Sequence, residues 1–302
     1  MRPFGAAAIG GLAIMALIAA GVADLGRAWV ADTQLPALTP ATSAEILAAD
    51  GSLLRAFTVE DGRWRLKADP ARVDPRLIAM LIAYEDKRFL DHSGVDLPAM
   101  ARALGQAAWN GRIVSGGSTL TMQVARLLEE GTTGEVGGKL RQMRVALALE
   151  RRLTKEEILG IYLLLAPYGG NLEGIRAATL SYFGKEPKRL TPAEIALLVA
   201  IPQSPETRRP DRHVARATAA RDRVLARAET DGLIEADQAK AARTEPVPAT
   251  RKPFPSLAAH LADRARMQDP SAQTHHLTLD RNLQTALETL ASEGIAGQGD
   301  SL

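Results

Sequence analysis

The chain has 302 residues, enough for one large domain with appendages and for a core that folds unaided. It contains no cysteine, which excludes a disulfide framework, a thiolate metal site and a cysteine nucleophile. A formal charge of +2 is far from the strongly basic surface of a nucleic-acid binder, so no nucleic-acid partner is expected.

From Phe4 to Ala23 no residue is charged, and about 20 apolar residues suffice to cross a bilayer as a helix. With Arg2 ahead of this stretch, residues 1–24 are expected to form a transmembrane signal anchor, the N-terminus cytoplasmic and the remainder outside. A cleaved signal peptide is the rival reading, because Gly21-Val22-Ala23 offers small residues for cleavage. Residues 25–66 are expected to be a tether and a small β hairpin. Gln34 to Thr42 is rich in Pro, Thr and Ala, and Ile46 to Arg65 alternates around the turn signals Asp50-Gly51 and Asp61-Gly62.

Asp74 and Pro75 then read as the cap and first turn of a helix. Leu77, Leu81 and Glu85 recur at i, i+4 and i+8 with Ile78 and Ile82 beside them, so Glu85 extends an apolar stripe. A carboxyl set against apolar surface has its pKa pushed upward, which suits it to proton exchange near neutral pH. Asp96 can cap the next helix, through Leu97, Met100 and Leu104. In Gly116-Gly117-Ser118-Thr119-Leu120-Thr121-Met122-Gln123 the glycines free the backbone and Ser118 can cap a helix whose first N–H groups suit an anion. A nucleotide P-loop is set aside, because Leu140 follows Gly138-Lys139 where Ser or Thr belongs.

A helix from about Gly138 to Leu153 carries Lys139, Arg141, Arg144, Arg151 and Arg152, and Thr154 with Glu157 forms a capping box for the helix after it. Tyr168 to Gly174 reads as a glycine-rich turn, Thr191-Pro192 with Glu194 as another helix start, and Ile201-Pro202-Gln203-Ser204-Pro205 as scaffold. Arginines from Arg208 to Arg227 suit a solvated helix face, with a lipid-headgroup surface as the alternative. Residues 234–302 are expected to be a linker, with His275-His276 exposed in it, and no S-x-x-K or K-T-G serine-acyl-transfer motif occurs.

Glu85-Asp86, Phe89, His92, Gly94 and Asp96 reproduce the pattern E-D-x-x-F-x-x-H-x-G-x-D, and the GGST, Lys139 to Lys155, Tyr168 to Gly174 and Ile201 to Pro205 segments follow in order. From roughly Asp50 to Leu233 the chain thus resembles the family 51 glycosyltransferases, the peptidoglycan-polymerising module of bifunctional penicillin-binding proteins, and most of all their 1C branch. The resemblance implies a mainly α, lysozyme-like domain of two lobes over residues 67–233, with Leu277 to Gln284 similar to the segment leading to a transpeptidase domain. It implies polymerisation of lipid II by Glu85 as general base, with inversion, a β-1,4 link and loss of polyprenyl pyrophosphate. Asp86, Ser118, Thr119, Gln123, Arg126, Lys139, Arg141, Gln142 and Asn171 are the substrate-binding candidates it suggests. A divalent cation, Mg²⁺, is implied by the resemblance alone, with no ligands identified. Implied partners are lipid II and the growing glycan, the bilayer and other cell-wall synthesis proteins; the implied address is the cytoplasmic (inner) membrane, single-pass, with the catalytic domain on the periplasmic side. One departure stands out: counted from Leu149-Glu150, the family's second acid is replaced by Gln142, an amide that carries no charge. A non-catalytic lipid II-binding factor and a lysozyme-like glycan-cleaving enzyme stay open as alternatives.

Overall fold

The computed structural model describes residues 20–21, 24–110, 117–129 and 136–296. The expected anchor falls almost wholly outside these, and among the described residues no helix is long and apolar enough to cross a membrane. In chain order the elements begin with α1 (24–31), β1 (Glu45–Leu47), β2 (Leu53–Ala56), β3 (Trp64–Arg65), α2 (Pro75–Glu85), α3 (Leu97–Asn110), α4 (Leu120–Leu128) and α5 (Val136–Leu149). They continue with α6 (Lys155–Leu165), β4 (Leu172–Glu173), α7 (Ile175–Phe183), α8 (Pro192–Ala200), α9 (Val214–Thr230), α10 (Ala236–Thr244), α11 (Ala259–Gln268), β5 (Thr274–His276) and α12 (Arg281–Ala296). The chain is mainly helical, as expected, and divides into two compact units. One takes the residues before Thr39 and Arg88–Ile158, the other Thr39–Lys87 and the residues from Leu159 on.

In the first unit α4 packs on α5. Thr119 rather than Ser118 caps α4, its Oγ1 accepting from Met122 N at 3.1 Å, because it is Thr119 that adopts the extended backbone an N-cap needs. Helix α5 ends at Leu149 instead of Leu153, and the turn after it leads to the capping box foreseen at Thr154, where Glu157 Oε2 accepts from Thr154 N at 2.7 Å. Residues 24–31 are helix, not tether. Arg144 holds that helix by donating to the Trp29 carbonyl (2.8 Å) with its guanidinium 5.1 Å from the indole ring.

The second unit is built around α8. After Glu194 its sequence is apolar on every face, and Ala193 and Ile195 through Ala200 are all buried. A helix of that kind is stable only when covered on all sides. Helices α2 and α9 supply most of the cover. Helix α9 presents Ala217, Ala220, Arg221, Val224, Leu225 and Ala228 inward, so its arginine-rich run is only partly solvated. Buried Arg221 donates to the carbonyls of Arg243 and Glu245, while Arg212, Arg216 and Arg223 stay exposed.

The expected hairpin is present as antiparallel β1 and β2 around Asp50-Gly51, but β3 leaves it and pairs in parallel with β4. Strand β5 pairs in parallel with β1, Glu45 opposite Thr274. His275 and His276 therefore form part of a sheet, with His275 half-buried and His276 exposed. Residues 234–296 likewise carry three helices, of which α10 packs against α8 and α9.

Candidate active site

Asp74 caps α2 as its sequence suggested, accepting from Arg76 N (3.0 Å), and it also accepts from Leu190 N (3.1 Å), which fixes the helix to the segment ahead of α8. Leu77, Met80 and Leu81 are buried beneath it. Glu85, the last residue of α2, continues that stripe and is half-buried. At the C-terminal end of a helix a carboxylate meets the negative pole of the peptide dipoles, which raises the cost of its charge. Buried Asp86 closes the helix, its N–H donating to the Ile82 carbonyl at 2.9 Å.

The segment that reads as scaffold reaches this carboxylate. Pro202 cannot continue α8, and the chain makes a single 3₁₀ turn over Ile201–Gln203. That turn brings Gln203 Nε2 within 2.7 Å of Glu85 Oε1. Arg208 Nη1 in turn donates to Gln203 Oε1 (2.8 Å) and to the Ala200 carbonyl (2.7 Å). Burial, then the like charge of Arg223, lowers the Arg208 pKa, while Tyr84 and Glu85 act in the opposite sense.

The E-D-x-x-F-x-x-H-x-G-x-D motif passes from the second unit to the first between Lys87 and Arg88. Its later half is fixed internally. Asp96 caps α3 through Ala99 N (2.8 Å) and takes a two-pronged bond from Arg88, which holds its carboxyl below the usual carboxylate range. Lys155 donates to the His92 carbonyl (2.6 Å) and to Glu150 Oε1 (2.6 Å), with its ammonium 4.6 Å from the centre of the buried Phe89 ring. Glu150, which also accepts from Thr121 Oγ1 (2.6 Å), is thus a structural tie. Gly94 has φ +97°, and a Cβ there would lie 2.6 Å from the Ala146 carbonyl oxygen. Only glycine lets the loop lie against the α5 backbone.

Beside that loop the first unit gathers three of the candidates. Lys139 Nζ donates to Ser118 Oγ, and Arg126 is close enough to act on Lys139, whose pKa is lowered first by burial and then by that neighbouring charge. Gln142 lies one turn along from Lys139 on the same face of α5 and is half-buried. The other candidates have bonds of their own within the protein. Thr119 is buried, and its hydroxyl donates to the Gly94 carbonyl (2.6 Å) while capping α4. Arg141 is largely exposed and paired with Glu129 (2.9 Å). Gln123 is half-buried on α4, its N–H bonded to the Thr119 carbonyl. Asn171 belongs to the second unit, where its side chain donates to the Gly62 carbonyl (3.2 Å). Two residues earlier, Gly169 has φ +91°, and a Cβ on it would meet the Arg209 side chain at 2.6 Å, so this glycine makes room for an arginine of the protein.

Among the described residues no three His, Asp or Glu side chains converge as a metal cage.

The chain belongs to the transglycosylase family, whose profile matches residues 50–229. It is 43% identical over 266 residues to penicillin-binding protein 1C of Escherichia coli, a match covering 87% of the chain and 34% of that protein. To penicillin-binding protein 1A of Vibrio cholerae it is 36% identical over 206 residues, covering 68% of the chain and 25% of the relative. The family read from the motifs, and its 1C branch, are borne out. The chain spans about a third or less of the length of these relatives. A 2.6 Å crystal structure of penicillin-binding protein 1A from Haemophilus influenzae aligns with 78% of the chain and 24% of its own at 22% identity, with a TM-score of 0.41, too low to bear on the fold.

Proposed function

We propose that the chain is a membrane-anchored peptidoglycan glycosyltransferase that polymerises lipid II into β-1,4-linked glycan. The observation that carries this reading is the Lys139–Ser118 pair beside Arg126. Two cations held together, one of them half-buried with its pKa lowered, are an unfavourable arrangement until an anion arrives. A lipid pyrophosphate is such an anion, and its oxygens gain charge as the sugar–phosphate bond breaks. Glu85 accepts the proton of the acceptor's N-acetylglucosamine 4-hydroxyl while that oxygen attacks the anomeric carbon of the donor N-acetylmuramic acid. Attack from the face opposite the leaving group inverts the configuration, and the bonding electrons depart with the polyprenyl pyrophosphate. A lysozyme-like domain held outside the cytoplasmic membrane by residues 1–24 fits this substrate, because the uncharged stretch from Phe4 to Ala23 keeps the enzyme where its lipid-linked donor resides. Partners in this reading are the bilayer, the growing glycan and other cell-wall synthesis proteins.

Gln142 enters the reading as a donor and acceptor of hydrogen bonds. Gln142→Glu is expected to slow polymerisation, because a carboxylate one turn from Lys139 would pair with it and withdraw it from the pyrophosphate. One charge-assisted bond lost corresponds to about ten- to hundredfold. A faster Gln142→Glu enzyme would show that a missing second acid limits the wild type. A Mg²⁺ ion is part of the proposal only as a counter-ion that the pyrophosphate brings with it, with no protein cage. Chelation is expected to lower the rate and added Mg²⁺ to restore it; an unchanged rate removes the ion.

The test is to incubate the protein with labelled lipid II and, separately, with finished glycan. Polymer from the first and no fragments from the second support the reading. Fragments from glycan indicate a lysozyme-like hydrolase, and neither product indicates a binding factor.

A further inference from the structure

We infer that Gln203 and Arg208 are positioning residues that hold Glu85 as an ionised carboxylate with its Oε1 fixed in direction. The inference deepens the polymerase reading and rests on Glu85 being its base. A guanidinium only donates, so the atom of Gln203 facing Arg208 must be the amide oxygen. That choice turns the Gln203 amino group toward Glu85, and an amino group also only donates. Glu85 must therefore accept at Oε1, and the acceptor is stronger when the carboxyl is ionised. The amide cannot flip to accept a proton from Glu85 without setting its own N–H groups against those of Arg208.

The relay is anchored to the deeply buried helix α8 of the second unit. Arg208 Nη1 also donates to the carbonyl of Ala200, the last residue of α8, where a cation meets the negative end of the helix dipole. The 3₁₀ turn that follows permits little independent movement of Gln203. The chain Ala200–Arg208–Gln203–Glu85 thus transmits the placement of α8 to one oxygen of the carboxylate. Other charged or titratable groups near this chain include Tyr84 and Asp86, adjacent in sequence to Glu85, and Arg223 of α9, which acts on Arg208.

The test uses the full chain in detergent, with ¹³C-labelled glutamate carboxyls and the Glu85 signal assigned by its loss in Glu85→Gln. In Gln203→Leu, Glu85 is expected to take up its proton about tenfold more readily, titrating about one pH unit above wild type. Arg208→Met is expected to move it in the same direction by less, and Arg208→Lys, which keeps a donor-only cation, to restore part of the wild-type behaviour. In lipid II polymerisation, Gln203→Leu is expected to lose kcat on the acidic side and to approach wild type as pH rises, with KM little changed. Identical Glu85 titrations in wild type and Gln203→Leu, or a rate that falls equally at every pH, overturn the inference. If wild type makes no polymer while the titration still shifts, the polymerase reading fails and the positioning role stands. If wild type polymerises and the titrations coincide, the reading stands and the positioning role fails. Should Gln203→Leu not fold, Arg208→Met and Arg208→Lys decide the question by the same two measurements.

Discussion

Glu85→Gln is expected to abolish polymerisation of lipid II while leaving the protein folded. The replacement conserves the volume of a half-buried side chain at the end of α2, and its amide oxygen can still accept from Gln203 Nε2. The packing of Leu77, Met80 and Leu81 beneath the helix is untouched, so the thermal midpoint should stay close to wild type. What is lost is the only function an amide cannot supply, a lone pair basic enough to take a hydroxyl proton near neutral pH. A positioned general base contributes about 10²- to 10⁴-fold, which sets the least loss expected. Polymerisation at the wild-type rate, measured on protein with an unchanged melting curve, would move the base to another residue.

Lys139→Met should cost nearly as much. Its ammonium bonds Ser118 Oγ at the start of α4 and shares its surroundings with Arg126, so its removal takes away half of the positive charge collected there. Loss of one preorganised group that stabilises developing negative charge typically costs about 10²- to 10³-fold in kcat. The methionine keeps most of the apolar stem, and relief of the like-charge contact with Arg126 should leave stability unchanged or slightly higher. The sign of the pH effect is fixed by the direction of the shift. Burial lowers the Lys139 pKa, so the charge proposed to hold the pyrophosphate is present at low pH and is lost as pH rises through a value below the ordinary lysine range. Wild-type activity should therefore decline on the alkaline side earlier than free lysine titrates, and Lys139→Arg should remove that decline. An alkaline limb shared by wild type and Lys139→Arg would separate Lys139 from the leaving group.

What the sequence reveals is chiefly local. The caps at Asp74, Asp96, Thr154 and Thr191 can be read because a cap and the N–H it binds lie within a few residues of each other. The meeting of Lys139 with Ser118 is legible only because two motifs come in a known order. Gln203 reads as scaffold because the bond that gives it a role reaches back to Glu85, far earlier in the chain, and no periodicity encodes such a bond. Ser118 and Thr119 are both good capping residues, and backbone geometry alone chooses the second. Arg141 groups with Lys139 and Arg126 as a candidate by its neighbours in sequence, and its pairing with the carboxylate of Glu129 is visible only in the fold. Strand β5 escapes a reading of the sequence because Thr274-His275-His276 has no apolar alternation to announce a strand.

The pairing of β1 with β5 also sets an order of events during synthesis. A ribosome delivers Glu45–Leu47 and Leu53–Ala56 early, and these strands can form their hairpin at once. One flank of β1 then waits, its amides and carbonyls unmatched, until Thr274–His276 has been made. Bare strand flanks recruit other chains, and pairings between distant segments form slowly. The nascent protein thus carries an adhesive seam from the synthesis of β1 until that of β5, and whatever escorts it across that interval has an identifiable surface to cover.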